Sequence, residues 1–245
     1  MRLTRVHVDL SLAAGRELDL PEGPAGHLGR VLRLGVGDAC VLFNGDGHDY
    51  DARIVAAGKR DMRVAIDVAR PVANESPLSI TLLQGIARGE KMDLILQKAT
   101  ELGVSAIRPL YSQRSEVKLD AARGAKRLAH WQSVVTSACE QSGRAVVPVV
   151  SAPEPLQAVI RGLPDGGLRL ILDPEAADTF ATLTCGEGTP VVLAVGPEGG
   201  WSPLDREQLL AGDFRGVRLG PRILRTETAG LAAISALQAR FGDLA

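Results

Sequence analysis

The hydrophobic pattern changes character at residues 71–77, PVANESP, a polar stretch with two prolines that is typical of a linker. Before it, short apolar segments alternate with polar positions and are separated by turn residues. These segments are residues 39–44, 50–56 and 62–68. Alternation with a period of two predicts half-buried strands, so we expect a small all-β unit, a barrel, with one helix over residues 25–33.

After residue 77, apolar runs alternate with patterns of helical period. The runs are residues 80–83, 104–110, 146–150, 168–172, 191–195 and 217–219, and the two clearest helical patterns cover residues 90–102 and 120–141. This order predicts an α/β domain with a mostly parallel sheet. We therefore divide the chain into residues 1–72 and residues 73–245.

Two stretches near the C-terminus share one plan, an apolar run followed by a Gly/Pro loop and a helical pattern. They are VVLAVGPEGGWSPLDREQLL at residues 191–210 and VRLGPRILRTETAGLAAISALQARF at residues 217–241. Ser202 is placed to cap the first helix with Pro203 in its first turn, and Thr226 to cap the second. The second helix has an Ala/Leu face formed by Ala229, Ala232, Ala233, Ala236 and Leu237. Because such loops meet at one edge of a parallel sheet, the sequence predicts a composite site.

The first of these loops, GPEGG, matches neither GxxxxGK[ST] nor GxGxxG. Its carboxylate, Glu198, would repel a pyrophosphate among the backbone donors. A ligand with a neutral base, a ribose and a positive centre fits better, and S-adenosylmethionine is such a molecule. Taken alone, GPEGG is also an ordinary αβ turn, so the loop by itself leaves both interpretations open.

The composition indicates a protein of the reducing cytoplasm. Of the 245 residues 45% are hydrophobic, enough for a sizeable core, and no apolar run approaches the length of a membrane span. The three cysteines form no CxxC, and the four histidines are scattered without metal-ligand spacing, so we expect no disulfide framework and no metal.

The formal net charge of the whole chain is −1, which argues against a nucleic-acid substrate, because proteins that bind nucleic acids often carry a clear excess of positive charge. The charged residues are not evenly distributed along the chain. Residues 88–127 contain nine Lys or Arg and five Asp or Glu, a local excess of four positive charges. This stretch is consistent with a solvated helix surface of mixed charge and with a basic surface for RNA.

Longer motifs give the chain a family resemblance. GPEGG followed by SPLDREQ, then LGPRILRTETAGLAAISALQ, resembles the cofactor-binding signature of the SPOUT RNA methyltransferases, and specifically the RsmE family, which methylates N3 of a uridine in 16S ribosomal RNA. HLGRVLRLGVGD, ARGEKMDLILQKATELGVSAIRPL and ACEQSGR resemble segments of that family in the same order. Trp201 departs from the pattern, since a smaller aliphatic residue is expected there, and would change the lip of the loop.

The resemblance implies both architecture and partners. It implies a PUA-like RNA-binding barrel at residues 1–72 and, at residues 73–245, a SPOUT α/β domain with a C-terminal trefoil knot. It also implies a homodimer with sites at the subunit interface, where the helices over residues 90–102 and 226–241 meet, and 16S rRNA of the small ribosomal subunit as substrate. The cofactor-binding residues expected for S-adenosylmethionine are Leu172, Gly196, Pro197, Glu198, Gly199, Gly200, Leu219, Gly220, Ile223 and Leu224.

Methylation of uracil N3 requires loss of the N3 proton, so a cation near the carbonyl oxygens and a proton acceptor are needed. Our first choice for the cation is Arg225, whose alternative role is to pair with Glu198 or Glu227. Glu198 is a candidate base, or it accepts backbone hydrogen bonds and holds its loop. The candidate RNA-binding residues are Arg30 and Arg33, on one side of the short N-terminal helix, and Arg88, Lys91, Arg114, Lys118 and Arg144.

Two other functions remain open from sequence alone. Another SPOUT group methylates the ribose 2′-hydroxyl, which requires a base for a hydroxyl group rather than for a ring N–H. A ribosome-assembly factor could keep the fold without catalysis. Loss of the loop glycines or of Arg225 would favour such a factor, and this chain retains all of them.

Overall fold

The computed structural model of the protein describes residues 3–117 and 121–244. The chain forms two compact units. The first contains the residues up to Glu75 together with Cys139–Val147, and the second contains Ser76–Ala138 and the chain from Pro148 onward. A segment distant in sequence thus belongs with the N-terminal unit.

The first unit is built on a mixed sheet of five strands. They are β1 (Arg5–His7), β2 (Glu17–Asp19), β3 (Ala39–Phe43), β4 (His48–Ala57) and β5 (Met62–Pro71), in the order β1-β3-β4-β5-β2. Strands β1 and β3 run parallel and the other neighbours antiparallel. The three alternating segments are therefore confirmed as strands, whereas β1 and β2, each three residues long, carry too short a pattern to have been predicted.

The helical segment of this unit comprises α1 (Glu22–Gly26) and a π-helical turn, His27–Val31. Leu28 is fully buried and packs with the inward side chains of the sheet in one core. Arg33 lies beyond the helix end and has a φ of 59°, in the left-handed region. The expectation that Arg30 and Arg33 share one helix side is therefore wrong, because the helix ends before Arg33.

A buried arginine ties Cys139–Val147 to the first unit. The Arg5 guanidinium is 2.6 Å from Asp49 Oδ1, donates to the carbonyl of Cys139 at 2.7 Å and to that of Arg144 at 3.1 Å, and lies over the Phe43 ring. Because an unpaired buried charge is costly, this set of contacts fixes the segment in place. The ACEQSGR motif thus contributes to the architecture of this unit.

The second unit contains a parallel sheet in the order β12-β10-β11-β6-β7-β8, with a seventh short strand, β9, beside β7. The strands are β6 (Ile80–Gly85), β7 (Ala106–Tyr111), β8 (Val149–Val150), β9 (Glu154–Pro155), β10 (Leu168–Leu172), β11 (Val191–Val195) and β12 (Arg215–Val217). The predicted α/β class is confirmed. The last predicted strand, residues 217–219, is shifted, because the chain leaves the sheet after Val217 and turns at Gly220, whose φ is 72°.

Five helices accompany this sheet: α2 (Glu90–Glu101), α3 (Ala121–Ser142), α4 (Leu156–Arg161), α5 (Pro203–Ala211) and α6 (Thr226–Phe241). Ser202 caps α5 as predicted, since its hydroxyl accepts a hydrogen bond from the backbone N–H of Asp205 and Pro203 occupies the first turn. In the described ranges, no helix combines the length and apolar character needed to cross a membrane.

Trp201 packs in the core of the second unit, where only 9% of its surface is exposed. Its neighbours in this core include Leu83, Ile171 and Leu209. The expectation that it alters the lip of the loop stays a prediction, because Trp201 also borders the cavity beside this loop. The indole follows the loop and fills the space between α5 and the sheet, so its size is used for packing.

Candidate functional site

A cavity of about 770 Å³ lies in the second unit where β10, β11 and β12 end. The first loop, residues 196–202, and the second loop, residues 218–225, supply 12 of its 25 lining residues. Because β10 lies between β11 and β12 and all three run parallel, both loops leave the same edge of the sheet. The predicted composite site is thus one continuous cavity.

The candidate cofactor residues converge on this cavity. Those in its wall are Leu172, Gly196, Pro197, Glu198, Gly200, Leu219, Gly220, Ile223 and Leu224. Gly199 is not in the wall, and its carbonyl accepts a hydrogen bond from Arg114 Nη1 at 3.1 Å. Ile223 is 85% exposed, which places it at the rim.

The end of β6 supports the first loop by close contact. A Cβ atom built on Gly85 would lie 2.5 Å from the backbone nitrogen of Pro197 and 2.6 Å from its Cδ atom, closer than real contacts allow. Only glycine at position 85 lets the loop approach the strand end this closely.

We expect Gly85→Ala to weaken S-adenosylmethionine binding by about tenfold or more, because the first loop must move to admit the methyl group. Isothermal titration calorimetry of the full chain measures this. Gly124→Ala is the matched control, because a Cβ at Gly124 on α3 meets no atom within 4 Å. Equal affinity in the two variants would show that the loop position does not matter for binding.

A buried polar relay holds the first loop against α6. The Thr226 hydroxyl donates to the carbonyl of Gly196 at 2.6 Å, and the fully buried Gln84 amide donates to the Thr226 hydroxyl at 3.1 Å. Thr226 therefore begins α6 without capping it, and the predicted cap is wrong because the hydroxyl is used in this tertiary contact. Gln84 is not among the residues predicted from sequence, although its position as a polar residue near the end of an apolar run could have indicated it.

Glu198 is engaged by several donors within the protein. Its Oε1 accepts a hydrogen bond from the backbone N–H of Arg88 at 3.0 Å and lies 3.6 Å from Lys91 Nζ. Partial burial raises the pKa of this carboxyl, but backbone hydrogen bonds and the charge of Lys91 together hold the pKa below its usual range. Glu198 is thus an ionised group that orders its loop.

Lys91 lies between two carboxylates. Besides Glu198 it approaches Glu227 Oε1 at 3.8 Å, and Glu227 Oε2 is buried with no hydrogen-bond donor among the described residues. All three side chains line the cavity. From sequence, Glu227 is predicted only as a possible partner of Arg225, because the free acceptor oxygen depends on tertiary contacts.

Arg225 lines the same cavity, is exposed, and forms no side-chain hydrogen bond or ion pair with the residues that the structure describes. Lys91, rather than Arg225, pairs with the two glutamates. The guanidinium is therefore available to a bound molecule.

The other candidate RNA-binding residues are dispersed. Arg114 lines the cavity, Arg88 pairs with Glu116, and Lys118 lies outside the described residues. Arg144 is buried and pairs with Glu75 within the first unit, so we assign it a structural role and not contact with RNA.

The wall of the cavity fits S-adenosylmethionine. Apolar side chains, including Leu172, Val195 and Leu224, can cover an adenine, while loop backbone groups can bind the ribose. The carboxylates of Glu198 and Glu227 favour a cation. Across the described ranges, no three His, Cys, Asp or Glu side chains are grouped so as to hold a metal ion.

Comparison with known proteins identifies two modules. Residues 74–238 match the model of an RNA methyltransferase domain, and residues 25–67 match that of an RNA methyltransferase PUA domain. The chain is 33% identical to ribosomal RNA small subunit methyltransferase E of Buchnera aphidicola, over 99% of this chain and 98% of that protein. It is 30% identical to the Bacillus subtilis protein of the same name, over 86% of this chain and 85% of that protein.

Two solved structures cover the whole chain. One is the ribosomal RNA small subunit methyltransferase E of Neisseria gonorrhoeae bound to S-adenosyl methionine, with 40% identity, a TM-score of 0.93 and 100% coverage of both chains. The other is a methyltransferase from Legionella pneumophila in complex with the bound cofactor SAM, with 38% identity, a TM-score of 0.96 and the same coverage. The similarity therefore extends over both compact units.

Proposed function

Because the chain belongs to the ribosomal RNA small subunit methyltransferase E family, we propose that it methylates N3 of one specific uridine in 16S rRNA. It is an RNA methyltransferase of SPOUT type that uses S-adenosylmethionine. The observation that carries the proposal is the cavity wall, which contains both an available arginine, Arg225, and a carboxylate with a free acceptor oxygen, Glu227. An N–H group that must ionise needs this pair of charges.

Leu172, Leu219, Leu224 and the first loop would hold the cofactor. When bound, S-adenosylmethionine would supply an electrophilic methyl group on its positively charged sulfur, and loss of the methyl group would leave that sulfur as a neutral thioether. Glu198 and Lys91 keep the first loop in one conformation, and the Thr226 hydroxyl fixes its beginning through the Gly196 carbonyl. These groups position the site and need not exchange a proton.

In our proposal, the uracil N3–H bond breaks as N3 gives its electron pair to the methyl carbon, and the proton goes to Glu227. Arg225 stabilises the negative charge that develops on the uracil carbonyl oxygens. Lys91 stays on the other oxygen of Glu227 and offsets the charge of Glu198 nearby. Glu198 already accepts two kinds of donor, so Glu227 is the better proton acceptor.

Partners and location follow from the same proposal. The first unit, which extends to Glu75 and not only to the predicted residue 72, would position the RNA through contacts with the RNA backbone while the second unit performs the chemistry. A homodimer is supported by α6, where Ala232, Ser235 and Ala236 remain only half-buried in one chain. A substrate within the small ribosomal subunit implies the cytoplasm.

We expect 3-methyluridine to disappear from small-subunit rRNA when the gene is deleted, and to return when the intact gene is supplied. Mass spectrometry of nucleosides from purified 16S rRNA measures both results. A supplied gene carrying Arg225→Ala is the control for catalysis. If 3-methyluridine persists and a ribose methyl is lost, the enzyme acts on the 2′-hydroxyl and the proposal is wrong.

A further inference from the structure

The second loop carries three arginines within eight residues, Arg218, Arg222 and Arg225, and all three are exposed at the cavity. Their guanidinium groups form no hydrogen bond or ion pair with any described part of the chain. Some exposed arginines elsewhere are paired; for example, Arg63 and Arg70 each bind a carboxylate through two nitrogens. The second loop is therefore a concentrated and uncompensated positive surface.

Acidic side chains near this loop are already neutralised by other arginines. Asp173 and Glu175 line the cavity and both pair with Arg206. The backbone carbonyl of Asp178 accepts a hydrogen bond from the backbone N–H of Arg218. The carboxylate of Asp178 forms an ion pair with Arg215, whose Nε lies 2.7 Å from Asp178 Oδ2. These pairings leave the arginines of the second loop without a carboxylate partner among the described residues, so their guanidinium groups are open to an external anion.

An apolar group accompanies these charges. Ile223 is 85% exposed, the largest exposure among the large hydrophobic side chains described as exposed, and it lies between Arg222 and Arg225 in sequence. A surface that presents guanidinium groups beside an apolar side chain suits a nucleic acid strand, which presents phosphates beside the faces of unstacked bases.

The proposed reaction explains why such a strand would be needed here. N3 lies on the Watson–Crick edge of uracil, so the target nucleotide must leave any base pair and enter the cavity. The flanking nucleotides are then unstacked and their phosphates stand at the rim. Holding them there requires positive charge at the rim of the cavity, where the exposed arginines of the second loop lie.

We propose that residues 218–225 form a docking surface for the RNA strand flanking the target uridine, with Arg218 and Arg222 binding phosphates and Ile223 packing against a flanking base. This inference rests on the proposed function, because it takes RNA as the substrate. It assigns strand binding to Arg218 and Arg222, whereas the sequence of this loop indicated cofactor binding and, through Arg225, catalysis.

The test uses the full chain and small ribosomal subunits from a strain that lacks the gene. Arg218→Gln/Arg222→Gln should weaken binding about tenfold or more at 100 mM KCl, and should lower the slope of log affinity against log salt by about 1.4, since each lost single-strand phosphate contact contributes about 0.7. The KM for subunits should rise, while kcat at saturation and the Kd for S-adenosylmethionine stay within about twofold.

The matched control is Lys98→Gln/Arg161→Gln, which removes two positive charges from the same unit outside the cavity wall. It should leave both affinity and salt slope unchanged. Ile223→Ser should raise KM without changing the slope, because it removes an apolar contact and no charge.

Three results would overturn the inference. An unchanged affinity and slope in the arginine variant would show that the loop does not bind RNA. A loss of cofactor affinity equal to the loss of RNA affinity would show that the arginines serve the cofactor. Dissociation of Ile223→Ser into monomers, detected by sedimentation, would make Ile223 a contact between two copies of the chain. Absence of 3-methyluridine in the product of the unaltered enzyme would instead refute the proposed function. The two failures can be distinguished, because the affinities of the variants for small ribosomal subunits are measured independently of the methylated product.

Discussion

Replacing Arg225 with alanine is expected to lower kcat for methyl transfer by about 10²- to 10³-fold, because the variant loses a preorganised positive charge at the uracil carbonyl oxygens. The Kd for S-adenosylmethionine should change by less than about twofold. The side chain makes no contact that holds either loop, so the fold and the cofactor site should persist. Rapid-quench measurements at saturating substrate and calorimetry of cofactor binding provide the two values.

Arg225→Lys and Arg222→Ala separate the roles of charge and position. Lysine keeps the charge but not the planar guanidinium with its five donors, so we expect partial recovery of kcat. Arg222→Ala removes a neighbouring arginine and should raise KM for RNA with little change in kcat. If Arg225→Ala raised KM alone, Arg225 would be one more RNA contact on the second loop.

Local features of the second unit could be predicted from sequence because their causes are local. Residues 168–172 and 191–195 form strands with the predicted bounds, since each is an apolar run bounded by Gly or Pro. Ser202 caps α5 because the cap and its partner, Asp205, lie three residues apart. The position of the first loop could therefore be predicted, because this loop connects β11 to α5.

Contacts between distant parts of the chain could not be predicted in this way. Gln84 and Thr226 are 142 residues apart in sequence, and their hydrogen bond depends on β6 lying beside β11. No periodic pattern specifies that strand order. For the same reason the sequence analysis placed Thr226 at a cap, where a local hydroxyl would ordinarily act.

Charge pairing shows the same limit. The sequence contains Lys91, Glu198, Arg225 and Glu227 but does not indicate which cation meets which carboxylate. In the structure Lys91 joins both glutamates, which leaves Arg225 available. Residue type alone therefore left Glu198 open as a candidate base or as an acceptor of backbone hydrogen bonds, and in the structure its carboxylate accepts a backbone hydrogen bond.

The proposed proton acceptor gives the sharpest test of the chemistry. Glu227→Gln keeps the shape of the side chain but removes its capacity to accept a proton, so we expect the rate at pH 7 to fall by about 10²- to 10⁴-fold. Cofactor affinity should change little, because Glu198 still supplies negative charge in the cavity. The matched control is Glu175→Gln, which alters a carboxylate of the same cavity wall that pairs with Arg206.

The pH dependence distinguishes a proton acceptor from a merely structural carboxylate. Without Glu227 the N3 proton must be removed by hydroxide, so the rate of Glu227→Gln should rise about tenfold for each pH unit between pH 7 and 9. The unaltered enzyme should show a much weaker rise, since its proton acceptor is a side chain and does not depend on the hydroxide concentration. Added acetate should partly restore the rate of Glu227→Ala by entering the vacated space. Parallel pH profiles for the enzyme and Glu227→Gln, or a rate loss matched by weaker cofactor binding, would mean that Glu227 holds a cation and that the proton leaves by another route.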